Sequence, residues 1–462
     1  MIVGIALLIL IIYTLGFKNL KWGCIIATLF FVTINYSSQN NLYSLELKNT
    51  LLLTVEVGLL LLGSICYYEV LYKNKRLEFI QELVKRSPGK PFILVLLSMF
   101  LGSFFEGVAG FGIPAMLIIP LLLNAGFHPR TAIICGFTGN FFAVNFGALG
   151  TPIIIGLGIT STNEITKTLP ILNLLSILSW PFVLTFLISR FEKIKIDWKS
   201  EFPHLLGGGI LYFTIFWYSS QYFIEFVSVI TGMTGLLFYM ILFNPQIKSF
   251  TLKFWIQSFA PYLLLLVVLL SAKYFLHSQS FQIWQEARSI SLFQPGLLFL
   301  LSLLILFYSY KITNKLFEIN EGVKAALIKL KSSIVNLFLI ILFSQMIKED
   351  VSIEIGRVVE KIPLYWTGPI YNALGIGGAF ITGSATMTNL LFKDLLSMSN
   401  MTFLATTTLA VGGALGNIVS LQNIVLAKSV APINISEKDI LSVTFFLVVL
   451  NWIFYQIMIL FL

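Results

Sequence analysis

The chain has 462 residues, of which 57% are hydrophobic and only 11% charged, with a net charge of +9; its mean hydropathy is +0.90. Soluble domains carry roughly 25% charged residues, and even large ones leave too much area in water to hide so much apolar side chain. A soluble enzyme, a secreted disulfide scaffold and a disordered chain are therefore excluded, and the expected solvent is lipid. At about 20 residues per crossing there is room for roughly a dozen helices.

The basic excess does not point to nucleic acid, because Lys and Arg accumulate in the cytoplasmic loops of membrane proteins. Cys24, Cys66 and Cys135 lie in apolar runs without CxxC spacing, and His128, His204 and His277 are far apart. No disulfide, metal or cofactor is expected from such a set. Residues 1–17 are apolar but lack a basic start and a small-residue cleavage site, so a retained span is expected there.

In chain order, apolar runs fall at 1–17, 22–36, 50–72, 131–158, 168–190, 203–222, 224–243, 253–276, 295–310, 325–347, 402–430 and 440–462. Two further stretches, 91–124 and 367–398, are apolar but interrupted by Gly, Ser and Thr. A straight helix over the first would run about 51 Å, too long for a core of about 30 Å. Folded at its centre it becomes a re-entrant helical hairpin, tolerated only where protein or water covers the broken backbone. With both stretches re-entrant, 22 of the 30 Lys and Arg fall on one side. That side is cytoplasmic by the positive-inside rule, and both termini are expected outside.

The hairpin 91–124 then enters from the cytoplasm and 367–398 from outside. Each is followed by a Gly-interrupted span (131–158 and 402–430) and a plain one. Two like units of opposite orientation form the inverted repeat of secondary transporters. The expected fold is an all-α polytopic membrane protein with about twelve transmembrane helices plus two re-entrant hairpins. Its parts are N-terminal helices (1–72), a basic amphipathic cytoplasmic segment (73–90), a first transport unit (91–190), central scaffold and lead-in helices (191–347), an outer loop (348–366) and a second transport unit (367–462).

Each unit supplies two breaks. The first hairpin turns at Glu106-Gly107-Val108-Ala109-Gly110-Phe111-Gly112, with Pro114 suited to a first helical turn. The next span breaks at Asn145 to Pro152 through Gly147, with Thr151 a candidate N-cap and Pro152 at the first helical position. The second hairpin turns at Thr382 to Thr386 with Ser384 as cap, and Asn389 follows one turn later. The last break runs from Gly412 through Gly416, Asn417 and Ser420 to Gln422. Both hairpin tips lie about 22–24 Å along their first arms, past the midplane from opposite sides. Helix starts carry partial positive charge and bind anions. The convergence predicts a site for a small anion built from Gly107, Gly110, Gly112, Asn145, Gly147 and Thr151 on one side. Ser384, Thr386, Asn389, Asn417, Ser420 and Gln422 complete it on the other.

Ionisable residues inside a membrane default to function. Glu56, Glu69 and Lys273 lie near span ends or basic loops, where snorkelling or local pairing suffices. Arg130 and His128 sit at the cytoplasmic mouth, and Lys393 with Asp394 in the return arm of the second hairpin. Glu106 is different, because no hairpin end is within reach of its short side chain. Desolvation penalises a charged carboxylate, which suits Glu106 to carry a proton with an anionic substrate. The alternative is a purely structural Glu106, held by backbone N–H groups or by Arg130.

The run Glu106 to Pro114, the run Phe146-Gly147-Ala148-Leu149-Gly150-Thr151-Pro152-Ile153, the stretch Phe380 to Thr386, the stretch Gly416 to Gln422 and Ala260-Pro261-Tyr262-Leu263-Leu264-Leu265 together resemble the bacterial L-lactate permease family. The resemblance is specific over roughly 90–158 and 366–430. It implies proton-coupled uptake of lactate, glycolate or a related 2-hydroxy monocarboxylate at the cell membrane, and an elevator motion of the hairpin-bearing domain like that of the ion-transporter group. A homodimer is expected by analogy to elevator proteins. The chain departs from the family pattern at Ala385, where the family has Asn, at Asn417, where it has Lys, and at Leu421, where it has Pro. Without that Lys the anion site relies on helix ends and hydroxyls. A sodium-coupled carrier of another organic anion is the alternative on the same fold. An intramembrane enzyme lacks any HExxH, paired Asp or His cluster to work with.

Overall fold

A computed structural model describes residues 2–13, 20–35, 40–74, 82, 84–108, 110, 113–246, 252–276, 279–284, 289–312, 318–359, 363–397, 402–420, 423–424 and 437–461. Gly112, Gln422, Phe111 and residues 75–81 and 83 of the amphipathic segment 73–90 lie outside the described residues. Apart from one short antiparallel pair, Ser280–Phe281 with Ile290–Ser291, the regular structure described is helical. Among the described residues five helices are long and apolar enough to cross a membrane, and shorter apolar helices of 10–17 residues accompany them. The chain is an all-α, multi-pass membrane protein.

Two compact units are formed, residues 1–82 with 248–347 and residues 83–247 with 348–462. In the first, Asn40–Lys73 packs along Pro295–Ile312 at glycines. A Cβ on Gly63 would meet the backbone of Gly296, and one on Gly296 would meet the carbonyl of Leu59. Such backbone approach is what small residues supply between membrane helices, where van der Waals packing drives association. Tyr67 Oη donates to the Pro261 carbonyl at 2.6 Å. The helix Asn320–Val359 runs through residues 348–359, where hydropathy suggests a loop, since no proline interrupts it before Pro363.

The second unit carries both hairpins. In the first, Lys90–Leu94, a π-helical stretch Val95–Leu101 and Gly102–Val108 form one continuous arm. The chain breaks around Gly110 (φ +58°), and Ile113–Asn124 packs back against the stretch 95–101. The helix Trp198–Tyr222 and the helix Val227–Phe243 also belong to this unit, the latter lying against Gly102–Val108. In the second hairpin Thr367–Thr382 ends at Gly383, whose φ of +70° is a left-handed helix stop. Ala385–Ser397 then returns, so that Gly378 faces Thr388 and Phe392. Ser384 caps this arm as expected, its Oγ accepting the Met387 N–H at 3.3 Å.

The second broken helix, Thr402–Gly416, crosses Thr367–Thr382 backbone to backbone: a Cβ on Gly412 would meet the Asn372 carbonyl, and one on Gly416 the Ile376 carbonyl. The helix then tightens to a 3₁₀ turn at Asn417–Val419 and stops at Ser420. The first broken helix, Pro129–Thr138, unwinds further, with Gly147 (φ +55°), Leu149 (φ +51°) and Gly150 (φ +76°) all left-handed. Pro152–Leu157 resumes as a π-helix with Pro152 at its start. Thr151 makes no side-chain cap there, its own backbone being already helical (φ −54°, ψ −39°) where a capping residue is extended.

Candidate functional site

The unwound places of both halves meet at one cavity with about 300 Å³ of space free of atoms, part of it open to solvent. From the first half it is lined by Glu106, Gly110, Val144, Gly147, Ala148, Thr151 and Pro152. Gly383, Ser384, Ala385, Thr386 and Asn417 line it from the second. The hairpin tips thus lie beside the breaks of the helices that follow them.

Glycine matters here for reach. A Cβ on Gly110 would press on Ala148 at 3.0 Å and lie 3.6 Å from a Glu106 carboxylate oxygen. Glu106 itself is 6% exposed and accepts a hydrogen bond from Asn140 Nδ2 at 3.2 Å. The same Asn140 nitrogen lies 3.4 Å from the Gly102 carbonyl, which fixes the amide's orientation. Arg130 does not serve as its counter-ion; the guanidinium stacks over Phe191, 4.7 Å from the ring centre. One turn before Glu106, Ser103 Oγ and Tyr212 Oη are 2.7 Å apart.

Across the cavity, Thr386 Oγ1 donates to Thr151 Oγ1 at 3.4 Å, so the hydroxyl expected to cap a helix instead joins the two halves. Asn389 Nδ2 donates to the Pro152 carbonyl at 2.9 Å, and a Cβ on Gly156 would meet Asn389 Cβ and the Thr386 carbonyl. The second hairpin is therefore seated on the restart of the first broken helix.

Of the residues singled out by sequence, Glu106, Gly110, Gly147, Thr151, Ser384, Thr386 and Asn417 come together around the cavity. Gly107 does not line it; a Cβ there would meet the Val229 backbone, so its role is the close crossing of the helix Val227–Phe243. Asn145 Nδ2 donates to the Phe142 carbonyl within its own loop, Asn389 clamps Pro152, and Ser420 Oγ accepts the Asn423 N–H at 3.5 Å. Asn140 and Asn423 were missed. Asn140 is a lone amide in an apolar run and Asn423 stands beside Gln422; a buried amide needs partners, which is the one signal that could have drawn attention to them.

Among the described residues no group of three or more His, Cys, Asp or Glu could hold a metal ion. The chemistry available is a single buried carboxyl facing hydroxyls, an amide and the start of the helix Ala385–Ser397. That combination can hydrogen-bond a small solute and can take up or release one proton.

The family model for L-lactate permease matches residues 1–258 and 252–462. A Haemophilus influenzae protein provisionally named as an L-lactate permease is 25% identical over 414 residues, 76% of each chain. The Bacillus subtilis L-lactate permease is 25% identical over 250 residues, covering 51% of this chain and 41% of that one. The Escherichia coli glycolate permease GlcA is 25% identical over 201 residues, covering 41% and 34%. A solved structure of Neisseria gonorrhoeae MtrF, titled as one of a class of antimetabolite efflux pumps, aligns with a TM-score of 0.43 at 12% identity over 92% of this chain and 83% of that one. With its family match running from end to end, the chain belongs to the L-lactate permease family, a family of permeases and not of enzymes.

Proposed function

We propose that this protein is a secondary transporter at the cell membrane. It carries L-lactate, glycolate or a related 2-hydroxy monocarboxylate together with a proton, by alternating access. The observation that carries the reading is the match of the L-lactate permease family along the whole chain, with relatives named for lactate and for glycolate. The cavity supports it physically. Its second-half wall offers hydroxyl and amide donors to a carboxylate, and its first-half wall holds one carboxyl, Glu106, to take the proton. The substrate's 2-hydroxyl would meet the Thr151 and Thr386 hydroxyls.

In this reading the two hairpins enter from opposite faces as an inverted repeat, the termini lie outside, and the hairpin-bearing domain moves as an elevator in a homodimer. Uptake by purified protein in liposomes, under separate pH and sodium gradients and with a panel of acids, tests the proposal. Accumulation of L-lactate or glycolate driven by an inward proton gradient is the expected result. Accumulation driven only by sodium, or no transport of any 2-hydroxy acid, would overturn it.

A further inference from the structure

We infer that Asn423 is a positioning residue that turns the Asn417 amide so that its NH₂, and not its carbonyl, is presented to the cavity as a donor for a carboxylate. This rests on the transport reading above for the identity of the ligand.

The geometry leaves one arrangement of the amides. Asn423 is buried, and its Nδ2 lies 3.2 Å from the Gly383 carbonyl and 3.4 Å from the Asn417 backbone carbonyl. Both are oxygens that only accept, so the atom facing them is the donor and the Asn423 amide cannot be reversed. The same Nδ2 lies 2.5 Å from Asn417 Oδ1. An NH₂ facing an amide oxygen settles the second amide as well: Asn417 Oδ1 is consumed by Asn423. Asn417 lines the cavity and is half-buried. Among the described residues nothing accepts from its Nδ2, which leaves two N–H donors for a ligand.

A primary amide left to itself presents a donor or an acceptor with similar ease, and so does not distinguish an anion from a neutral analogue. Locked in this way, it distinguishes them. Because Asn423 also donates to the Gly383 carbonyl, a seated second hairpin reinforces the lock.

The test measures L-lactate uptake kinetics in proteoliposomes, together with inhibition by L-lactamide, the neutral isostere. Asn423→Leu keeps the volume but removes the donor, so Asn417 Oδ1 turns to the water of the cavity. The L-lactate KM should rise about tenfold, the lower end for a hydrogen bond to a charged group. L-Lactamide inhibition should change less than twofold, so that discrimination between the two collapses. Asn417→Asp is the second variant. Its carboxylate still accepts from Asn423, so packing is retained, and only the cavity-facing atom changes from donor to acceptor. It should lose L-lactate affinity at least as strongly while keeping L-lactamide. A KM unchanged in both variants, or L-lactate and L-lactamide weakened in parallel, would overturn the inference while leaving the transport reading intact. Absence of L-lactate and glycolate transport by the wild type would overturn the transport reading and this inference with it.

Discussion

Replacing Glu106 by Gln is the sharpest test of the proposed proton coupling, because the structure separates its effect on stability from its effect on energetics. The carboxylate accepts from Asn140 Nδ2 at 3.2 Å, and a Gln carbonyl can accept the same bond. The fold should lose less than about 1 kcal/mol, since a neutral hydrogen bond replaces a charge-assisted one. What disappears is the titratable group. For one proton per substrate, each pH unit of inward gradient supports tenfold accumulation, about 1.4 kcal/mol. In liposomes with a gradient of about two units, the wild type should approach a hundredfold accumulation by that arithmetic. Glu106→Gln should bring the ratio close to one while labelled L-lactate still exchanges across vesicles at equal pH. A variant that accumulates substrate with the wild-type pH dependence would remove Glu106 from the coupling step, and loss of both accumulation and exchange would make it structural.

Asn140→Leu leaves the buried Glu106 without the hydrogen bond described above and should destabilise by about 1–3 kcal/mol. Adding Glu106→Leu should recover most of that loss, because replacing both partners by apolar groups removes the unsatisfied one; thermal unfolding in detergent reads both, and additive losses would refute the pairing. Gly412→Val sets a side chain against the Asn372 carbonyl and should cost about 1–3 kcal/mol or more through overpacking, seen as a lowered Tm. An unchanged Tm would mean that the two helices are not locked at that crossing.

The breaks were legible because Gly, Pro, Ser and Thr clusters stand out inside apolar runs. The turn at Gly383 and the unwinding over Asn145–Pro152 fall where sequence places them. Ser384 is legible as a cap for the same reason. Thr151 illustrates the limit. Its local sequence is that of an N-cap, yet a partner 235 residues away takes its hydroxyl, and no local rule contains Thr386. Gly107 reads as a tip residue but serves a helix crossing, because glycine's two uses, left-handed turns and close approach, look alike in one dimension. The π-helical stretches at 95–101 and 152–157 were equally invisible, because no residue type in either run signals that bonding pattern. Asn423 was missed because its three acceptors come from two separate breaks.

A neutral residue at position 417 has a consequence for coupling that can be worked through. In the proposed reading Glu106 and the substrate carboxylate share one cavity. Two like charges 4 Å apart repel by about 4 kcal/mol at an effective dielectric constant of 20, so a proton on Glu106 and an anion in the cavity favour each other by equal factors. With Asn417, no positive side chain among the described residues lines the cavity, and an ionised Glu106 leaves it negative and hostile to the anion. With Lys there, as the family pattern has it, an ionised Glu106 would be neutralised and the anion could bind without a proton. Asn417→Lys should therefore raise L-lactate affinity at alkaline external pH while flattening the dependence of uptake on pH, so that less substrate accumulates per unit of gradient. If the variant instead keeps the wild-type pH slope, the two carboxylates do not sense each other, and proton and substrate must be coupled by the conformational cycle alone.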